Sequence, residues 1–199
     1  MNQQQAQQDL ALIRELMQSA RRATYVSGAY FIIWALVAGL GQLGTWLIAG
    51  QKLELPFDPS TSIIWLWILI DVLGIAGTVY IIRRDRKRTS VVNPAGRLVG
   101  LSWFSVGVAL LIIFFVGVGF GNIPGHLMCS ISALFIGIGV FNTGLLSGMK
   151  WLRNLAFGWW FGGAVMLASP GMWNLWFSAV LLFLLYLIPG IALTYKDRR

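Results

Sequence analysis

Charged residues are scarce in this chain, and so are the residues that build most catalytic and metal sites. Only 11% of the 199 residues are charged, whereas a soluble domain carries about 25%. A single Cys excludes a disulfide within the chain and a multi-cysteine metal site, and a single His excludes bis-histidine haem ligation. Neither a GxSxG nor an HExxH motif occurs. We therefore expect no enzyme activity, no cofactor and no metal site.

Apolar residues are correspondingly abundant. They make up 57% of the chain, and the mean hydropathy is +0.73. A membrane-spanning helix needs about 20 mostly apolar residues, and six stretches meet or approach that length: 24–49, 63–82, 98–119, 127–149, 154–169 and 173–194. The fifth is the shortest, at about 24 Å of helix. The sequence predicts an all-α, polytopic bundle of six transmembrane helices over residues 24–199.

The basic residues predict the orientation of these spans. With six spans, all but one of the 15 Lys and Arg residues fall on one side of the membrane, the exception being Lys52. The positive-inside rule makes that basic side cytoplasmic. We expect a multi-pass protein of the inner, cytoplasmic membrane of a bacterium with both termini inside. The two ends of the bundle are called inner and outer on this basis.

The most basic run, RRDRKR, follows the second span. Its cationic members are Arg83, Arg84, Arg86, Lys87 and Arg88. The run is explained as a topology signal beside a membrane span, and contact with anionic lipid head groups accompanies that position naturally. Nothing in the sequence indicates binding to nucleic acid.

Residues 1–23 precede the first span and predict a cytoplasmic amphipathic helix. Apolar residues at helical spacing share one side, and these are Leu10, Ile13, Leu16, Met17 and Ala20. Two interpretations remain open. The segment lies on the membrane surface, as basic amphipathic helices beside a span commonly do, or residues 9–22 pair with another copy or with a membrane partner.

One acid, Asp71, interrupts the second span. An ionised Asp at the centre of a spanning helix costs about 2.5–3.5 kcal/mol, so we expect it to face the bundle interior and to be neutral. Gly74 and Thr78 share its helix face. Helix depth makes Gln42 its best-matched partner, with Thr45 one turn shallower. Asp71, Gln42, Thr45 and Thr78 therefore form the candidate ligand or proton site.

Asp71 has two interpretations. It locks the first two helices through a bond to Gln42, or it binds a proton, a cation or an amine-bearing solute along a pathway.

Five other residues are singled out later in the chain. His126 is either a solvated turn residue or a pH-sensitive latch at the outer end, and Cys129 is a small packing residue. Asn142 and Thr143 are expected to make interhelical hydrogen bonds. Pro189 is expected to kink the last span, because proline removes a backbone hydrogen bond.

Short similarities recur along the chain. GIAGTVYIIRRDR (74–86) ends the second span and GIALTYKDRR (190–199) ends the sixth, while WALVAG (34–39), WFSVG (103–107) and WWFGG (159–163) place an aromatic residue near glycine in the odd-numbered spans. Three hairpins from a repeated two-helix unit would explain this. Small residues four apart, as at Gly144 and Gly148 or Gly158 and Gly162, favour close helix packing.

Glycine-punctuated hairpins with small basic turns resemble the small bacterial six-helix membrane proteins of the HdeD type, which are associated with acid resistance. The start IRELMQSARRATYVSGAYFIIWALVAGLG is similar to bacterial membrane proteins of unassigned function with an amphipathic N-terminal helix. The resemblance implies a non-enzymatic envelope protein, and no functional residue is carried over from it. We expect an interaction or envelope-associated bundle that acts as a homo-oligomer or with a membrane partner. The alternative is a small transporter, channel or solute-binding subunit in which Asp71 is the proton or cation site.

Overall fold

A computed structural model describes residues 27–53, 56–88 and 94–196, and all regular secondary structure in those ranges is helical. The predicted amphipathic helix in residues 1–23 lies outside this part. The α-helices, numbered along the chain, are α1 Gly28–Ala49, α2 Pro59–Arg88, α3 Pro94–Ile112, α4 Met128–Leu146, α5 Lys150–Ala168, α6 Trp173–Leu182 and α7 Ile188–Lys196. Two π-helical stretches, Ile113–Val118 and Phe183–Leu187, extend α3 and join α6 to α7 into one last span over 173–196.

The described part contains five helices that are long and apolar enough to cross a membrane. They correspond to the predicted first, second, third, fourth and sixth spans. Helix α5 has 19 residues, about 28 Å, but Lys150, Arg153 and Asn154 make its first turn polar. The count of six spans therefore stays a prediction.

Several helix ends differ from the predicted ones, and each difference has a local cause. Helix α1 begins at Gly28 rather than residue 24, because Ser27 has an extended backbone conformation. Helix α2 begins at Pro59 rather than 63, because Asp58 caps it: the Thr61 amide donates to Asp58 Oδ2 at 3.0 Å. Helix α4 ends at Leu146, three residues early, where Gly148 takes a φ of +70° in the turn to α5.

Consecutive helices pack antiparallel wherever the structure shows facing pairs. In α4 and α5, the most extensively packed pair, Gly144 lies against the Arg153 backbone and Gly137 lies against Trp160. These glycines allow the two backbones to approach closely. Because α4 and α5 belong to different predicted hairpins, the three-hairpin division also stays a prediction.

Helix α1 lies between two neighbours. Helix α2 packs on one side and the last span packs on the other, where the Phe31 and Tyr186 rings are 4.6 Å apart. Within the main hydrophobic cluster, the least exposed large side chains come from α4 and α5, and these are Trp159, Leu152, Met166 and Val140. Helices α2 and α3 are the least buried of the spanning candidates. The bundle thus has a packed core of α1, α4, α5 and the last span, with α2 and α3 at its edge.

The last span is π-helical just before Pro189, where the sequence predicts a kink. Proline cannot donate the helical hydrogen bond of its turn, and a π-bulge is one way in which a helix absorbs that loss. The stretch ends at Leu187, two residues before Pro189. Its only buried member is Tyr186, which faces the packed core.

Candidate functional site

Asp71 lies half-buried on α2, at the edge of the face that contacts α1. Its neighbours Ile70 and Gly74 face α1 directly: Gly41 lies against Ile70, and the indole of Trp34 lies over Gly74. Among the described residues, Asp71 has neither a hydrogen bond nor an ion pair. The acid is therefore placed beside a helix interface without being part of a polar contact within the chain.

The predicted pair of Asp71 and Gln42 is not formed among the described residues. Gln42 is buried, and its Oε1 accepts a hydrogen bond from Cys129 Sγ on α4 at 3.7 Å. The expectation matched the two residues by depth alone. Gly41 faces α2, however, and the next residue along a helix points about 100° away from it. Gln42 therefore faces α4 and α6 instead of α2.

Thr45 and Thr78 lie at the interface of α1 and α2, each bonded to an indole. Trp67 Nε1 donates to Thr45 Oγ1 at 3.0 Å, and Trp34 Nε1 donates to Thr78 Oγ1 at the same distance. Both hydroxyls thus hold α1 against α2. Of the four candidates, the structure brings Asp71, Thr45 and Thr78 to one interface and separates Gln42 from them.

An aromatic pair borders Asp71 on the outer side. Trp67, one turn away on α2, has its ring centre 6.5 Å from that of Phe114 in the π-helical end of α3. Helix α3 otherwise packs on α4 and makes few contacts with α2. Asp71 is thus one helix turn along α2 from Trp67, which makes an aromatic contact at a loosely packed edge.

Two helix pairs share one arrangement, here called a tryptophan lock. In it an indole donates to a threonine hydroxyl and covers the glycine four residues before that threonine. In α1 and α2, Trp34 bonds Thr78 and covers Gly74, where an added Cβ would lie 2.6 Å from the ring. In α3 and α4, Trp103 bonds Thr143 at 2.9 Å and covers Gly139 at the same 2.6 Å. Asn142 Nδ2 also donates to Ser102 Oγ at 2.9 Å. The predicted interhelical bonds of Asn142 and Thr143 are therefore present.

The last span carries the same Gly-x-x-x-Thr spacing, with a different occupant. Gly28, at the start of α1, packs against Gly190 and Thr194 where a tryptophan would be expected. Trp159 of α5 lies further out and contacts Tyr186, with ring centres 6.0 Å apart. Its buried Nε1 has no hydrogen-bond partner among the described residues. The pair Gly190 and Thr194 thus receives the backbone of Gly28 and joins α1 to the last span.

A buried polar cluster in the outer half of the bundle was not predicted from the sequence. It consists of Gln42, Cys129, Ser130, Asn174 and Ser178, which come from α1, α4 and α6 and are all buried. Asn174 Nδ2 donates to Met166 O of α5 at 3.1 Å. Asn174 Oδ1 and Ser130 Oγ have no partner among the described residues. The four-residue spacing of Asn174 and Ser178 on α6 is a signal that could have indicated it.

The remaining candidates lie at the two ends of the bundle. His126 is exposed in the short helical turn Gly125–Leu127 at the outer end. Arg83 is exposed near the end of α2, and Arg84 contacts Asp85 at 3.1 Å. The helix continues through Arg86, Lys87 and Arg88, whose side chains lie outside the described ones. The basic run therefore prolongs a spanning helix beyond its apolar part.

The described side chains form no group of three or more His, Cys, Asp or Glu that could hold a metal ion. Comparisons with protein-family models, with curated proteins and with solved structures gave no match. What the arrangement offers chemically is limited to one acid at a membrane helix edge, indole–hydroxyl locks and a buried polar cluster. The class defined by the fold is an all-helical protein with apolar helices suited to a membrane.

Proposed function

We propose that this chain is a non-enzymatic integral membrane protein that acts by associating with another membrane protein, in the first instance a second copy of itself. The observation that carries the proposal is Asp71, which has no polar partner among the described residues. A polar side chain in a membrane helix is stabilised by a hydrogen bond across a helix interface. A neighbouring chain can supply that bond.

The position of Asp71 in the bundle supports this role. It is carried by α2, which together with α3 is the least buried of the spanning candidates. On its other side α1 packs on the last span, which in turn packs on α4 and α5. Association at the α2 edge therefore leaves the core unchanged, and a partner helix would contact α2 or α3.

Two substitutions at Asp71 test the proposal. Asp71→Asn keeps the capacity for hydrogen bonding, whereas Asp71→Leu removes it. In lipid nanodiscs we expect the wild-type and Asn chains to self-associate equally and the Leu chain to associate about 3- to 15-fold more weakly, the range for interhelical hydrogen bonds in membranes. Native mass spectrometry gives the populations, and Val72→Leu, at an exposed neighbouring position, is the control. A wild-type chain that stays monomeric contradicts self-association.

A second function, a small transporter, channel or solute-binding subunit, is favoured by one contact. Trp67, four residues before Asp71 on α2, has its ring in contact with that of Phe114, and aromatic faces together with an acid attract organic cations. This function requires ionisation of Asp71. Asp71→Asn would then abolish cation or proton flux in vesicles although association is retained. Equal flux in wild type and Asp71→Asn excludes it.

The rest of the proposal follows the charge pattern. The chain resides in the inner membrane of a bacterium with both termini cytoplasmic, and Arg83, Arg84, Arg86, Lys87 and Arg88 contact anionic lipid head groups. Residues 9–22 contribute a further contact with the membrane or with a partner. Deletion of residues 1–22 tests that contact: an unchanged native mass would leave the membrane surface as its binding surface. An envelope role of the HdeD type is consistent with this proposal.

A further inference from the structure

An apolar groove runs along the surface of the bundle between α1 and the last span. Its larger part has a volume of about 230 Å³ and is lined by apolar side chains and Gly39, including Leu40, Ala179 and Phe183. A smaller space of about 20 Å³ adjoins it toward the outer end, and Ala179 lines both. From Leu36 to Trp46 the two spaces follow α1 over about 15 Å.

We propose that this groove binds one acyl chain of an anionic lipid, whose head group pairs with Lys52. The ammonium of Lys52 lies 3.5 Å from the centre of the Trp46 ring, and Trp46 lines the outer part of the groove. A cation–π contact holds the charge above the ring. The groove therefore has an apolar floor and a positive charge at its outer mouth, which matches an anionic amphiphile.

The bare backbone of Gly39 opens the groove. A Cβ atom placed on Gly39 would have no atom within 4 Å, so no neighbouring side chain fills the space. At the outer end the Trp46 and Trp176 rings meet edge to face with centres 5.0 Å apart. Tryptophan favours the interface between head groups and chains. This pair consequently marks the level at which the lipid's polar part would begin.

A lipid chain suits this space better than a protein helix. A helix with its side chains is about 10–12 Å across, whereas an acyl chain is a single hydrocarbon strand that can lie lengthwise in an open groove of about 230 Å³. The single charge is also confined to one end of the groove. Lys52 is the only basic residue that the sequence predicts at the outer end, so the proposed site differs from the inner-end contacts of the basic run after α2.

Lipid retention by the full chain tests the proposal. The chain is extracted from vesicles of equal parts phosphatidylglycerol and phosphatidylcholine, and bound lipid is counted by native mass spectrometry. We expect preferential retention of phosphatidylglycerol. One lysine near a membrane surface gives a preference of about 5-fold. Lys52→Gln should lose that preference, and Lys52→Arg should keep it.

A groove-filling substitution tests the chain-binding part. Gly39→Leu should remove the lipid that Lys52 selects, whereas Gly107→Leu on α3 should not, although Gly107 is equally open to an added side chain. The proposal is overturned if Gly39→Leu retains as much phosphatidylglycerol as wild type, or if wild type retains both lipids equally. A dimer that Gly39→Leu dissociates would instead assign the groove to a second copy.

Discussion

At the residue scale, the protein's polar side chains do two different things. Thr45, Thr78 and Thr143 accept indole hydrogen bonds and join helices. Asp71, Ser130 and Asn174 instead carry polar atoms that have no partner among the described residues. Bonded side chains explain the packing, since each spans an interface. Ser130 and Asn174 are fully buried, whereas Asp71 is only half-buried on a helix at the edge of the bundle. A neighbouring molecule can therefore reach Asp71, which is why Asp71 carries the proposed function.

The change in stability on replacing Ser130 tests whether its buried hydroxyl lacks a partner. Its buried hydroxyl has no partner among the described residues, and such a group costs about 1–3 kcal/mol. Ser130→Ala should therefore raise the free energy of unfolding. Ser178→Ala, at another buried serine whose hydroxyl donates to Leu175 O at 3.0 Å, should not. Thermal unfolding in nanodiscs compares the two. A lower stability for Ser130→Ala would place a buried water at this hydroxyl.

At the element scale, tryptophan locks and one helix cap position the helices. Each lock combines an indole–hydroxyl bond with a glycine that the ring covers. Glycine is required at the position under the indole because any side chain there would collide with the ring. The cap at Asp58 has the separate effect of extending α2 beyond its apolar run.

The lock between α3 and α4 predicts a contrast between two glycines. At Gly139 an added Cβ would lie 2.6 Å from the Trp103 ring, and at Gly107 it would meet nothing within 4 Å. Gly139→Ala should destabilise the protein by about 1–3 kcal/mol through overpacking. Gly107→Ala should be neutral or stabilising, because alanine favours helix. Equal effects in a denaturation series would contradict the lock.

The cap of α2 should weaken in acid. The Thr61 amide that donates to Asp58 lowers the pKa of this carboxyl below its ordinary value of 3.8. A folded-state pKa below the unfolded one stabilises the cap above about pH 4, and this contribution is lost as the pH falls through the folded pKa. The protection factor of the Thr61 amide against hydrogen exchange should fall accordingly, after the measured rate is corrected for the slower intrinsic exchange in acid. Asp58→Asn caps without a charge, so its protection should not change over the same pH range.

At the scale of the whole molecule, α1 organises the bundle. It packs on α2 through two indole hydrogen bonds. It packs on the last span through Phe31 and through Gly28, which lies against Gly190 and Thr194. Helices α4 and α5 complete the core, leaving α2 and α3 at the edge. Asp71 lies on that edge and Lys52 lies at the outer mouth of the groove, so the two proposed contacts use different faces of one bundle.

The predicted orientation can be tested by labelling single cysteines in a Cys129→Ala background. With six spans, Lys52→Cys and Met172→Cys lie outside and Arg97→Cys lies inside. An impermeant thiol reagent applied to whole cells should label the first two and not the third, which should react only after permeabilisation. Met172, exposed between α5 and α6, is decisive for α5: if it reacts from the cytoplasmic side instead, α5 does not cross the membrane.

The apolar runs predicted most of the helices, because hydrophobic length is a one-dimensional property of a sequence. The helix ends were less predictable, because capping at Asp58 and the turn at Gly148 depend on local backbone geometry. Helix-face and depth arguments placed Asp71, Thr78 and Thr45 near one interface. They failed for Gln42, because residues at matching depth on neighbouring helices can still point in different directions.

By itself, the sequence determined an all-helical chain with apolar runs of membrane-spanning length, because composition and hydrophobic length are fixed before any helix meets another. Only the tertiary structure decided which side chains meet. Gln42 bonds Cys129 rather than Asp71. Gly28 packs against Gly190 and Thr194. Ser130 and Asn174 approach α5 from neighbouring helices. The physical reason is rotational: helix–helix contacts depend on the direction in which each residue faces, and a hydrophobic run contains little information about that direction.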